Sequence, residues 1–185
     1  MYELTEDDKK NLIDIKMTSN TTPAPYVASA SSEYSSIHYP AWKAFNGASN
    51  GMTNCWVAAN NSTSGWIQLK FGEFVNIKKI ILVSRDWDQP ITSIVDFDIE
   101  SSVDGITFKK EKEVRGEPEW GIVEYRAFNV RINNAKFIRI NIKKTQKIYP
   151  TLSQILFIER KSQKKILLRH TKTGKIYTIK EGSFS

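Results

Sequence analysis

Two runs in this 185-residue chain set aromatic rings beside charged or hydrogen-bonding side chains: His38-Tyr39-Pro40-Ala41-Trp42 and Arg85-Asp86-Trp87-Asp88-Gln89-Pro90. A third ring, Trp120, lies in the turn-rich Gly116-Glu117-Pro118-Glu119-Trp120-Gly121. Such pairings suit sugars, whose apolar face packs on a ring while their hydroxyls bond to directional, charged groups. Each residue also has a structural reading. Arg85 can pair with Asp86 or Asp88 on the surface, a histidine beside Tyr and Pro is often structural, and Trp42, Trp56 and Trp66 read as core. Trp87 and Trp120, in polar loops, are the rings most open to a ligand. Catalytic patterns are missing. Two histidines cannot furnish a three-histidine metal site, and no H-E-x-x-H, G-x-S-x-G or P-loop run occurs. The chain is expected to be non-catalytic.

The elements that must carry these loops are strands. Residues 65–71 alternate Ile67, Leu69 and Phe71 inward against Gln68 and Lys70 outward, and residues 77–84 are apolar enough for a central strand. Val95, Phe97 and Ile99 alternate with Asp96, Asp98 and Glu100, then Asp104-Gly105 signals a hairpin returning through residues 108–114. Ile138, Ile140 and Ile142 repeat the period of two, and residues 154–159 form a last short apolar strand. Thr5-Glu6-Asp7-Asp8 before Leu12, Ile13 and Ile15 reads as a short capped helix or an ordered arm. No 12-residue segment of the body (26–160) holds a helical period. Many short strands joined by polar loops predict an all-β, antiparallel jelly-roll sandwich. It spans residues 26–160, behind an N-terminal arm and linker over 1–25 and before a basic β-hairpin tail over 161–185.

The hydrophobic fraction of 40% is enough for a real core, and no run approaches the ~18 apolar residues of a membrane span. Cys55 is the sole cysteine, so no internal disulfide can form, and a lone buried thiol is its expected state. The net charge of +7 is uneven: residues 143–180 hold eleven Lys or Arg and one acid, Glu159, and the remainder is net −3. Such a stretch suits nucleic acid or another anionic polymer as an alternative partner, against the plainer reading of a solvated strand face. Steep salt dependence would separate the two kinds of ligand, because phosphate contacts weaken with salt and stacking on a neutral sugar does not. The acidic, non-apolar N-terminus shows no secretory signal. The expected location is therefore a virus particle, a phage tail or an extracellular surface, with the cytoplasm as the alternative. The sequons at Asn20, Asn60 and Asn61 carry weight only along a secretory route.

Seven pieces fall in one order between Tyr26 and Glu159: Ala28-Ser29-Ala30-Ser31-Ser32, Ala44-Phe45-Asn46-Gly47, Trp56, Gly65-Trp66-Ile67-Gln68-Leu69, residues 97–105, Lys136-Phe137-Ile138-Arg139-Ile140, and Leu152-Ser153-Gln154-Ile155. In that order they resemble the discoidin or coagulation factor V/VIII type C domains of the galactose-binding-like superfamily, nearest to carbohydrate-binding module family 32. The resemblance implies an eight-stranded jelly roll with ligand loops at one end, and a binding module. In the sugar-binding members a His precedes the Ala-Phe-Asp-Gly turn and an Arg follows the central strand, places held here by His38 and Arg85. With Trp87, Asp88 and Trp120 they make up the expected carbohydrate site. Where those members carry an Asn after the Arg, this chain offers Asp88, Gln89 and Thr92.

The resemblance also implies a structural calcium near that turn, held by carbonyls of Lys43 and Ala48, the side chains of Asn46 and Gln154, and the hydroxyl of Thr53, with Asn54 a rival for the last place. Both family carboxylates are amides here, which keeps oxygens but removes negative charge. An empty, sodium-like or calcium-loaded site all remain open. Residues 164–180, a strand-turn-strand pattern, resemble pieces appended to bacteriophage tail and baseplate proteins. The expected partner is a cell-surface glycan, with homo-oligomerisation or a larger assembly through the arm or tail, no membrane insertion, and nucleic acid the less favoured ligand.

Overall fold

The computed structural model describes residues 2–59, 62–87 and 90–161 (Pro90 as backbone), together with the backbone of 165–169 and 176–180. Among these, a short helix α1 (Glu6–Asn11) precedes β1 (Val27–Ala30), β2 (Trp56–Val57), β3 (Gly65–Val83), β4 (Ile94–Ser102), β5 (Lys109–Val114), β6 (Tyr125–Thr145), β7 (Thr151–Leu152), β8 (Gln154–Glu159), β9 (Lys165–Arg169) and β10 (Ile176–Lys180). All pairings are antiparallel.

Two of these strands are long because each serves both layers of a sandwich. The first part of β3 pairs with β1 through residues 67–70, and its second part pairs with β8 through residues 77–83. In the same way, β6 pairs with β4 only through residues 137–145. The register between β3 and β6 slips between Lys70 and Lys79. A bulged, bent pair of strands turns the corner there, leaving β1, β4 and β5 in one layer and β8 in the other.

The inward positions meet between the layers. Ile67, Leu69, Phe97, Ile99, Ile138, Ile140 and Ile142 from one layer pack in a single cluster with Ile77, Ile80, Leu82, Phe128, Ile155 and Phe157 from the other. Edge-to-face ring pairs cross the gap, Phe71 with Phe157 at 5.1 Å and Phe97 with Phe128 at 5.2 Å. Burying each such side chain is worth about 1.5–3 kcal/mol, so this cluster is what makes the alternation binding on register.

Several expectations meet their structure here. The Asp104-Gly105 turn forms, with Gly105 at φ 78° and the Asp104 carboxylate accepting from the amides of Ile106 and Thr107. Cys55 is fully buried and its thiol is pushed up to about 11 by that burial. Trp56 is core, but Trp66, expected there, is not. Its parity with Gln68 and Lys70 puts it on the outer face, where the Arg139 guanidinium stacks 4.4 Å from its ring. Trp42 is half-buried and packs against the cluster. β9 and β10 pair with each other as an antiparallel two-stranded sheet of their own.

The arm is built into the sandwich. Thr5 and Asp8 form a reciprocal capping box on α1. Beyond it, the Ile13 amide donates to the Phe157 carbonyl and Leu12 bridges to Ile158, so the chain covers the edge of β8 away from β3. Asp8 is the anchor: its carboxylate is fully buried, accepts from Lys79 Nζ at 2.6 Å and from the Tyr2 hydroxyl, and so ties the arm to strand β3.

Candidate functional site

Val83 ends β3 at the side of the sandwich away from the corner, and the loop that follows carries Arg85. Its guanidinium is held from three sides. Nε donates to the Met52 carbonyl at 2.8 Å and Nη2 to the Tyr39 hydroxyl at 3.3 Å, while its carbon stands 5.2 Å from the Tyr39 ring and 4.8 Å from the Trp87 ring. Arg85 is 9% exposed, yet among the described residues no carboxylate pairs with it. Asp86, its neighbour, instead accepts from the Gly51 amide at 2.7 Å and ties the loop of Met52 to that of Arg85. Tyr39 continues outward into Tyr34, at 5.9 Å edge-to-face, and Tyr34 into Tyr149 at 5.8 Å. Tyr34 is 47% exposed and Met52 55%, so an apolar, aromatic rim is open to solvent around the guanidinium.

The cluster is shallow. The space behind Arg85 and Trp87, closed by Thr92, Ser93, Trp120 and Thr151, measures about 10 Å³, room for at most one water. What the structure offers at Arg85 is therefore a surface rim and not a deep cavity.

The structure brings Arg85 and Trp87 together, with His38 at the margin and Trp120 packed behind them. His38 is exposed, its ring 6.4 Å from that of Tyr39, and it is Tyr39 that reaches the guanidinium. Trp120 is a correction. At 4% exposure its indole N–H donates to the Ile94 carbonyl at 3.0 Å, and Arg126 covers its ring at 4.3 Å, so it packs the core and offers no face to a ligand. Asp88 and Gln89 lie outside the described residues, and Thr92 is buried. Tyr34, Tyr149 and the Met52 carbonyl were not singled out from sequence. Tyr39 was within reach, being the middle of an aromatic run.

A second polar cluster lies at the Ala44-Phe45-Asn46-Gly47 turn. Gln154, 2% exposed at the start of β8, directs Nε2 at the carbonyls of Lys43 (2.9 Å) and Ala48 (2.6 Å) and at Asn46 Oδ1 (2.7 Å). Its Oε1 accepts from the Gly47 amide at 3.1 Å, made possible by Gly47 at φ 79°. Asn46 Nδ2 donates to Asn54 Oδ1 at 2.5 Å, and Asn54 Nδ2 to the Ala48 carbonyl at 2.6 Å. The turn is held from outside by Lys43 Nζ, which donates to the carbonyls of His38 (2.6 Å) and Thr53 (2.9 Å).

The model of the F5/8 type C domain family matches residues 27–154, from β1 to the first residue of β8. This chain belongs to the F5/8 type C domain family. No curated protein matches it. Among solved structures, module 3 of carbohydrate-binding family 32 from a family 31 glycoside hydrolase of Clostridium perfringens superposes with a TM-score of 0.66 at 16% identity, covering 85% of this chain and 100% of that one. A further family 32 module of C. perfringens, in complex with GalNAc-β-1,3-galactose, gives 0.64 at 17% identity over 72% and 94%. The galactose complex of the family 32 module of NanJ from the same organism gives 0.58 at 18% over 71% and 92%. The jelly-roll sandwich expected from the sequence is thus the fold of this F5/8 type C domain.

The calcium expectation tests poorly against the donors present. Lys43, Asn46, Ala48 and Gln154 do converge, as expected, but on the nitrogen of Gln154. Calcium takes oxygens only, usually with carboxylates among them, and Gln154 presents N–H donors to the remaining oxygens. Thr53 enters only through its carbonyl and its rival Asn54 supplies the side chain. These residues do not fit a calcium ion in this arrangement.

Proposed function

We propose that this F5/8 type C domain is a non-catalytic glycan-binding module. Its sugar stacks on the Tyr34, Tyr39 and Trp87 rim and hydrogen-bonds the guanidinium of Arg85. The observation that carries this is the clamped Arg85, held between two rings and anchored by the Met52 carbonyl in a loop cluster at one end of the sandwich. Preorganised planar donors beside exposed aromatic faces match the two-sided chemistry of a sugar ring. Neighbours of the same fold crystallised with galactose and with GalNAc-β-1,3-galactose support the ligand class.

A shallow rim engages one or two sugar units, so single-site affinity is low and gains by multivalent display. The β9–β10 pair and the N-terminal arm are the segments through which an assembly would present several copies, on a phage tail, a virion or another extracellular surface.

The test is a glycan array with the full chain, followed by calorimetry on the best hit for the wild type, Arg85→Ala and Trp87→Ala at low and high salt. Binding that is insensitive to salt and lost in both variants is the expected outcome. Unchanged binding in both variants would remove the site. An array without hits, together with DNA binding that falls steeply with salt, would move the function to the basic 143–180 stretch.

A further inference from the structure

We propose that the Gln154 carboxamide is the internal substitute for a cation, which makes the turn at Asn46 metal-independent. Several carbonyl-type oxygens face inward at one point: Lys43 O, Ala48 O, Asn46 Oδ1 and the Ser153 carbonyl, all 2.6–2.9 Å from Gln154 Nε2. Such a gathering of partial negative charge needs a positive centre. The amide nitrogen supplies it with two hydrogens, shared among more oxygens than two hydrogens serve singly.

The orientation of the amide is fixed by its other end. The Gly47 amide is a donor only, so the atom it faces, 3.1 Å away, must be Oε1. Likewise the Ala48 amide, 3.0 Å from Asn46, fixes Oδ1 toward itself and Nδ2 toward Asn54. A flip of Gln154 that turned its oxygen into the cage would set its NH2 against the Gly47 N–H. The cage is therefore closed to a divalent cation by a hydrogen bond on its far side. A glutamate at the same position would keep the Gly47 bond through one oxygen and place the other, charged, among the carbonyls. That would be a repulsive state, which calcium would relieve. Nothing in this depends on what the Arg85 loops bind.

Thermal unfolding of the full chain in EDTA and in 1 mM CaCl2 tests it, with terbium luminescence as a direct probe of a bound trivalent ion. The wild type is expected to unfold at the same temperature in both and to give no terbium signal above buffer. Gln154→Glu is expected to lose about 5 °C or more in EDTA, to recover most of it in calcium, and to sensitise terbium. Gln154→Leu, which empties the cage of both donor and charge, should lose stability with no calcium response. A wild-type midpoint that rises with calcium would overturn the proposal, as would a Gln154→Glu variant that is indifferent to calcium. Should Gln154→Glu fail to fold, the wild-type comparison still decides.

Discussion

The amide knot at Gln154 and the cradle at Arg85 are built from similar parts, a buried polar side chain reaching loop carbonyls, and they end in opposite states. At Gln154 both the amide oxygen and the amide nitrogen are answered by the protein. At Arg85, Nε and Nη2 have partners, Nη1 has none among the described residues, and the flanking rings run out to solvent. A closed network buries its polarity for the sake of one backbone conformation. An open one keeps donors in place for something not in the chain. The distinction lies in satisfaction, since both groups are almost fully buried.

The largest test removes the closed network. Gln154→Leu leaves the Lys43 and Ala48 carbonyls, Asn46 Oδ1 and the Gly47 N–H without their partner, and is expected to lower unfolding free energy by about 3 kcal/mol in urea with the m-value unchanged. At a temperature where the variant is folded, glycan affinity should fall far less than stability. Equal losses would mean that the knot and the cradle are one unit, coupled through the 48–54 loop that carries both Asn54 and Met52.

The converse test empties the open network. Arg85→Ala is expected to weaken glycan binding at least tenfold, about 1.4 kcal/mol, while costing under about 1 kcal/mol of stability, because no described carboxylate is left unpaired by its removal. Arg85→Lys should not rescue affinity, since an ammonium cannot present a flat fork between two rings. A stability loss larger than the binding loss would make Arg85 a structural group and erase the contrast.

How far the two clusters could be foreseen differs for a physical reason. Strand parity foresaw Ile67, Leu69 and Phe71 as inward because burial enforces a period of two, and the same parity would have placed Trp66 outward with Gln68. Arg85 was visible because it follows an apolar strand that has to end at a loop. Trp120 misled because its loop reads as polar, while the ring folds back under Arg126 and gives its N–H to Ile94, a contact between residues distant in sequence. The convergence on Asn46 and Gln154 was legible only through the family resemblance. The choice between ion and amide was not, because it depends on which end of a carboxamide faces Gly47, more than a hundred positions away.

A third polar cluster, Asp8 with Lys79 and Tyr2, is closed like the knot but charged, and pH separates the two. Burial disfavours the Asp8 carboxylate, and hydrogen bonds from Lys79, Tyr2 and Thr5 overcome it, holding the carboxyl well below the usual carboxylate range. A folded pKa depressed below the unfolded value near 3.8 adds stability that is complete above the unfolded value and disappears as pH falls through the folded one. The arm should therefore loosen from β8 as pH drops below about 4, seen as faster amide exchange at Ile13 and a lower melting midpoint. Asp8→Asn is expected to cost about 1 kcal/mol at pH 7 and to flatten that acid dependence. The knot, all amides and carbonyls, should show none.

The smallest effect belongs to His38, which sits beside the cradle without closing it. Its backbone is committed: the amide donates to Ser35 Oγ at 3.1 Å and the carbonyl accepts from Lys43 Nζ. Its imidazole is exposed and, among the described residues, meets the edge of Tyr39. His38→Ala should therefore shift stability by less than about 0.5 kcal/mol, as exposed substitutions do. Its effect on glycan affinity then measures how far the open network extends. A loss of a few-fold would place the imidazole on the ligand; no loss would end the site at Tyr39. Either result is readable because the Lys43 staple runs through backbone carbonyls, which the substitution leaves in place.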